Sequence, residues 1–121
     1  MNKEKFIREA KPRLLSYEEP LRESIEADDI QDVFLNSVYR DFFTQLDLSG
    51  LVEPFDYNAW LAGQELQIES EELIAGADLE FLSKLVTIHM RLDRFIGGHL
   101  EKLMKDGYFL KVLNRIEELE G

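Results

Sequence analysis

The polar side chains best suited to chemistry lie between residues 87 and 99. They are Thr87, His89, Arg91, Asp93, Arg94 and His99. Residues three positions apart on a helix share a face, so the guanidinium groups of Arg91 and Arg94 can converge on one carboxylate or phosphate. His99 follows closely and can add a hydrogen-bond donor or an acid–base group. Arg91, Arg94 and His99 are therefore the candidate anion-binding residues.

The two arginines also have a purely structural interpretation, which we favour on sequence alone. In a chain this rich in acids, they can pair with carboxylates such as Asp56 or Asp78 and tie helices together. Paired charges mark functional sites only in a statistical sense. The sequence therefore leaves both interpretations open, with Arg91 and Arg94 either binding a ligand or stabilising the fold.

Metal binding has little support in the sequence. His89 and Asp93 are four residues apart, a spacing that can place two ligands on one helical face. Two ligands are too few to predict a metal site. We expect His89 to be partly buried and hydrogen-bonded, and His99 to be a polar residue near a helix N-terminus.

No pattern of residues predicts catalysis. Adjacent acids such as Glu71 and Glu72 point to different faces of a helix, which suits solvation better than acid–base work. The chain has no cysteine, no calcium-binding loop, no glycine-rich phosphate loop and no His-Glu-x-x-His helix. We therefore assign no catalytic residue and no cofactor, and the sequence favours a protein that is not an enzyme.

The charge of the chain limits its partners. The formal net charge is −11, and the stretch from Asp41 to Ser83 holds ten acidic residues and no lysine or arginine. Nucleic-acid affinity depends mainly on neutralising phosphates, so no binding to nucleic acid is expected. The acidic stretch could instead dock a basic protein partner or mimic nucleic acid. Net charge also serves solubility, which makes charge alone a weak argument for docking.

The chain carries no membrane signal that sequence reasoning recognises. Its first residues, Met1 to Lys5, are largely charged, and no later run approaches the roughly eighteen apolar residues of a membrane span. The absence of cysteine suits a reducing compartment. We therefore expect no membrane association and a cytoplasmic location.

Apolar residues recur with helical spacing through most of the chain, and no alternating pattern persists. This spacing predicts one compact all-α domain over residues 1–121, a bundle of five or six helices. The predicted segments, short helical turns included, run from Asn2 to Leu15 with a division at Pro12, from Pro20 to Ala27, from Asp28 to Ser49, from Asp56 to about Leu66, from Glu71 to Ala75, from Asp78 to about Asp93 or Phe95, from His99 to Lys105 and from Phe109 to Ile116.

Several short motifs follow one another in the second half of the chain. They are Val52 to Tyr57 with Trp60, Ala77-Asp78-Leu79, Lys84 to Thr87, Arg91 to Phe95, Gly98-His99-Leu100, and Gly107 followed by Val112 to Ile116. With these motifs, the region from Leu51 to Leu119 resembles a family of small bacterial proteins of unknown function, numbered 6508. Tyr57 and Gly97 depart from that pattern, and residues 1–50 resemble it weakly. The resemblance implies a helical bacterial protein and carries over no activity, substrate or catalytic residue.

Three functions agree with these observations. The leading hypothesis is a non-enzymatic binding or regulatory module, for which a symmetric homodimer is a candidate assembly. The second is a small-ligand-binding protein or enzyme that acts on an anionic compound through Arg91, Arg94 and His99. The third is an acidic docking or nucleic-acid-mimic protein. The second hypothesis requires that all three residues meet at one accessible cavity.

Overall fold

The computed structural model describes residues 2–27, 37–56, 59–60 and 71–119. Within these ranges all regular secondary structure is helical, which confirms the all-α prediction. We number the helices α1 (residues 3–15), α2 (Glu18–Glu26), α3 (Ser37–Leu48), α4 (Glu71–Ala75), α5 (Leu79–Leu92), α6 (His99–Lys105) and α7 (Tyr108–Glu118). The predicted segments from Asp28 to residue 36 and over residues 61–70 lie outside the described residues.

Helix α1 changes from π to α geometry at Lys11, immediately before Pro12, where we predicted a division. It consists of α-helical Lys3–Lys5, a π-helical segment Phe6–Ala10 and α-helical Lys11–Leu15. Proline lacks an N–H group and clashes with the carbonyl four residues earlier. The wider π turn, in which the Lys11 N–H bonds to the Phe6 carbonyl, accommodates this clash without ending the helix.

Two predicted helix boundaries are confirmed by capping groups. Asp78 caps α5, because its Oδ1 accepts a hydrogen bond from the Phe81 N–H at 2.8 Å. Gly107 separates α6 from α7 with φ of +80°, a left-handed conformation that a residue with a Cβ atom rarely adopts. Each helix of the described ranges contributes side chains to one buried apolar cluster, in which α7 supplies the largest share and α3 and α5 the next largest.

A segment without regular secondary structure, residues 51–56, lies against α5. Leu51 is fully buried, and its carbonyl accepts hydrogen bonds from Ser83 Oγ at 2.6 Å and Thr87 Oγ1 at 3.2 Å. Thr87 Oγ1 also accepts from the Glu53 N–H at 3.0 Å. Two small hydroxyl side chains of α5 therefore hold this segment, and they fix Pro54 and Phe55 beside the end of the helix.

The first and last described helices are joined directly. Lys11 Nζ donates to the carbonyl oxygens of Leu119 at 2.8 Å and Glu117 at 3.3 Å, at the end of α7. A lysine at this position satisfies carbonyls that have no partner within their own helix. None of the described helices has both the length and the apolar character needed to cross a lipid bilayer.

Candidate functional site

Arg91 and Arg94 meet at one surface depression, as their spacing predicted. The depression has a volume of about 320 Å³ and is lined by Pro54, Phe55, Arg91, Arg94 and Phe95. Arg91 lies in the last turn of α5 and Arg94 two residues beyond its end. Pro54 and Phe55 of the segment 51–56 supply the opposite wall. We call this feature the arginine depression.

The aromatic wall of the arginine depression is anchored in the fold. The Phe55 ring packs edge-on against Trp60, with ring centroids 6.2 Å apart, and Trp60 packs in the same manner on Phe81 of α5 at 5.7 Å. Edge-to-face aromatic pairs of this kind stabilise beyond their burial alone. The wall therefore has a fixed position relative to the two arginines.

The predicted pairing of the arginines with Asp56 or Asp78 is not found. Both carboxylates accept backbone hydrogen bonds instead: Asp56 Oδ1 accepts from the Ala59 N–H at 3.1 Å, and Asp78 Oδ1 accepts from the Phe81 N–H and caps α5. Among the described residues, no ion pair or side-chain hydrogen bond involves the guanidinium group of Arg91 or Arg94. Two cationic groups therefore remain available on a strongly acidic protein.

The turn between α5 and α6 presents apolar side chains next to these cations. Phe95 is 76% exposed and Ile96 is 50% exposed, and both are among the large apolar side chains that the described part of the fold leaves in solvent. Exposed aromatic residues beside arginine are typical of the central contacts of protein interfaces. The arrangement can bind an anionic group and an apolar group at once.

His99, the third candidate, does not line the arginine depression. Its side chain is only 4% exposed, and its Nε2 atom lies 2.9 Å from Nδ1 of His89, which is fully buried. The two rings stack, with centroids 5.1 Å apart and planes inclined by 29°. His89 is hydrogen-bonded and His99 begins a helix, as predicted, but His89 is fully rather than partly buried. The sequence did not reveal that the two histidines bind each other.

Tyr108 completes a buried polar chain that sequence reasoning missed. Its hydroxyl lies 3.1 Å from Nε2 of His89, and the side chain is 1% exposed. The only available signal was a tyrosine at the first position of α7, where a buried hydroxyl needs a partner. The chain Tyr108–His89–His99 links α7, α5 and α6 across the core.

Two neutral proton arrangements satisfy this chain. In one, Tyr108 donates to His89 Nε2 and His89 Nδ1–H donates to His99 Nε2. In the other, both donors are reversed, so that His99 Nε2–H donates to His89 and His89 Nε2–H donates to Tyr108. In either arrangement both hydrogen bonds are made without a buried charge, so the chain is compatible with a closed interior.

The rest of the described surface offers weaker candidates. No group of three or more histidine or acidic side chains within the described ranges is arranged to hold a metal ion. A larger cavity, about 650 Å³ between α1 and the end of α3, is lined by charges of both signs, including Lys5, Glu9 and Arg13. A second cavity of about 430 Å³ mixes Lys3 and Lys84 with three acids. The arginine depression is the candidate in which the lining charges are all positive.

The chain is also similar to a known protein family. A model described as "Family of unknown function (DUF6508)" matches residues 6–121. The match confirms the resemblance found in the second half of the chain and extends it through most of the N-terminal half. Neither the curated proteins nor the solved structures contain a significant match.

Proposed function

This chain belongs to the DUF6508 family of unknown function, and we propose that it is a non-enzymatic binding module that docks an acidic segment of a partner protein. The observation that carries the proposal is the arginine depression. Arg91 and Arg94 have no acidic partner among the described residues, and Phe95 lies exposed beside them. The docking surface comprises the arginine depression and Ile96.

Charge supports an anionic partner. The chain has 25 acidic and 14 basic side chains, so carboxylates are plentiful enough to pair with most arginines. Two guanidinium groups on one surface without such a pair form a local positive site in an otherwise negative field. Arginine is suited to this role because its planar fork can bind a carboxylate through two parallel hydrogen bonds.

The shape of the site favours a protein segment over a small metabolite. Small-ligand pockets usually enclose most of the ligand surface, whereas the arginine depression is partly open to solvent and its volume of about 320 Å³ lies at the lower end of the range for such pockets. The exposed side chains of Phe95 and Ile96 extend the apolar surface next to it. A peptide that carries acidic and apolar residues would cover both parts at once.

The other functions receive less support. An enzyme that uses His99 as its acid or base would need that side chain beside the arginines, and it is buried against His89 instead. The acid-rich stretch from Asp41 to Ser83 includes residues 57, 58 and 61–70, which lie outside the described residues. A role for that stretch in docking, and the homodimer, therefore stay predictions.

Binding of a short labelled peptide of alternating glutamate and leucine, measured by fluorescence anisotropy, tests the proposal. We expect the parent protein to bind this peptide, and each of Arg91→Gln and Arg94→Gln to weaken binding by roughly tenfold, the factor for one lost charge-assisted hydrogen bond. Arg40→Gln is the matched control, because Arg40 is an exposed arginine on α3, away from the depression. It should leave the affinity unchanged.

Two further measurements separate the alternatives. A peptide with glutamine in place of glutamate should not bind, because it lacks the anionic groups. Inorganic phosphate should compete weakly if the site needs the apolar contacts, whereas strong competition would indicate a small-anion site. No peptide binding, or equal weakening by Arg40→Gln, would contradict the proposal.

A further inference from the structure

The docking surface stands on the turn that joins α5 to α6, and we propose that the buried pair His89–His99 positions this turn for binding. This inference rests on the proposed function. The docking turn comprises residues 93–98 and carries Arg94, Phe95 and Ile96. Neither His89 nor His99 lines the arginine depression, so the pair acts on binding only through the turn.

The two histidines hold both ends of the docking turn. At its start, the His89 carbonyl accepts a hydrogen bond from the Asp93 N–H at 3.3 Å, and at its end, the His99 N–H donates to the Ile96 carbonyl at 3.2 Å. The rings of the same two residues are joined by the 2.9 Å hydrogen bond. The backbone hydrogen bonds of His89 and His99, and the bond between their rings, therefore hold together the two ends of the docking turn, which we call its base.

A second link crosses the same base. Asp93 Oδ1 accepts a hydrogen bond from the Leu100 N–H at 3.1 Å. The C-cap residue of α5 therefore satisfies an N–H group in the first turn of α6 that has no partner within its own helix. Gly98, with φ of +77°, lets the chain reverse between these two links. The base of the turn is thus fixed in two places, while the residues at its tip remain in solvent.

The position of the tip follows from this closed base. The N–H groups of Phe95 and Ile96 both donate to the Leu92 carbonyl at 2.9 Å, which continues the last turn of α5 and directs the two side chains outward. Apolar side chains held in solvent are unfavourable unless a partner covers them. A surface that is already ordered loses less conformational entropy on binding, which raises affinity.

Tyr108 ties the pair to the core. Its ring packs edge-on against His89, with centroids 4.8 Å apart, in addition to the hydrogen bond between hydroxyl and Nε2. The pair is thereby linked to α7 as well as to the two helices that flank the turn. A displacement of His89 would therefore require movement in the centre of the fold.

Hydrogen exchange of the parent protein and of His99→Leu and His99→Gln tests the positioning role. Leucine removes the nitrogen that faces His89, whereas glutamine keeps an amide that can donate or accept there. We expect His99→Leu to accelerate exchange of the Phe95 and Ile96 amides by about tenfold, as for one lost hydrogen bond, and His99→Gln to restore part of the protection. Val112→Ala, a substitution of a fully buried α7 residue, is the control for general destabilisation.

Affinity for the glutamate–leucine peptide supplies the second measurement, made well below the melting temperature of every variant. We expect weaker binding in His99→Leu and unchanged binding in Val112→Ala. Unchanged amide exchange in His99→Leu, or faster exchange with unaltered affinity, would overturn the positioning role. If the parent protein does not bind the peptide, the proposed docking function fails, and the exchange measurement still decides whether the pair orders the turn.

Discussion

Replacing either arginine of the depression should leave the stability of the fold almost unchanged. For Arg91→Gln and Arg94→Gln we expect the free energy of unfolding to change by less than about 0.5 kcal/mol, the usual scale for surface substitutions. The physical reason is that neither guanidinium has an ion pair or a side-chain hydrogen bond within the described ranges. The structural interpretation of these arginines predicts a loss instead, because an acid would then lose its partner.

Arg115→Gln provides a matched arginine whose removal should destabilise the protein. Arg115 Nε donates to the Ala77 carbonyl at 2.8 Å, and one terminal nitrogen lies 3.0 Å from a Glu118 carboxylate oxygen. The bond to the carbonyl joins α7 to the segment before α5. Loss of this partly buried, charge-assisted bond should cost about 1–2 kcal/mol, while the exposed ion pair adds little.

Thermal and denaturant unfolding of the four proteins measure this difference. A change below about 0.5 kcal/mol corresponds to a shift in melting temperature of no more than about 3 °C for a domain of this size. Arg115→Gln should show a clearly larger decrease. A decrease in Arg91→Gln or Arg94→Gln as large as that in Arg115→Gln would refute the reasoning, since it would show that these arginines stabilise the fold.

Two further predictions test the core and a turn. Leu85→Ala should lower the free energy of unfolding, measured in denaturant, by roughly 2–5 kcal/mol because Leu85 is fully buried. The control is Leu48→Ala, at a leucine that is 69% exposed, which should change stability by less than about 0.5 kcal/mol. Similar losses in the two variants would contradict the assigned core. Gly107→Ala should cost about 1–2 kcal/mol through its positive φ alone, since a Cβ there meets no atom within 4 Å. Gly76→Ala is its control, and an equal loss in both would refute the argument from φ.

The helices were predictable because each depends on local information. Asp78 and the apolar spacing after it predicted α5, which the structure places at Leu79–Leu92. Gly107, which follows α6, likewise predicted the break before α7. The preference for glycine there is local, because it is set by the φ angle of that one residue. Pro12 predicted a division of the first helix, but that the division is a π-to-α change rather than a break depends on the hydrogen bonding of the whole α1 helix.

The candidate site was only partly predictable, because it depends on contacts between distant residues. The helical repeat placed Arg91 and Arg94 together. Whether an acid reaches them depends on where Asp56 and Asp78 lie in space, and both accept a hydrogen bond from a backbone N–H three residues later. The hydrogen bond between His89 and His99 requires the turn to bring back a residue ten positions later, a geometry that no local spacing specifies.

The link between Lys11 and the end of α7 has a consequence for synthesis of the protein. Its partners are the carbonyls of Glu117 and Leu119, more than a hundred residues later in the chain, and Leu14 of α1 shares the buried cluster with Ile116 of α7. The ribosome releases the N-terminal part of the chain first, and α3, which also packs on α1, emerges before α7. The part of α1 that α7 covers therefore stays exposed until α7 has emerged, and until then it is a surface that a chaperone can bind.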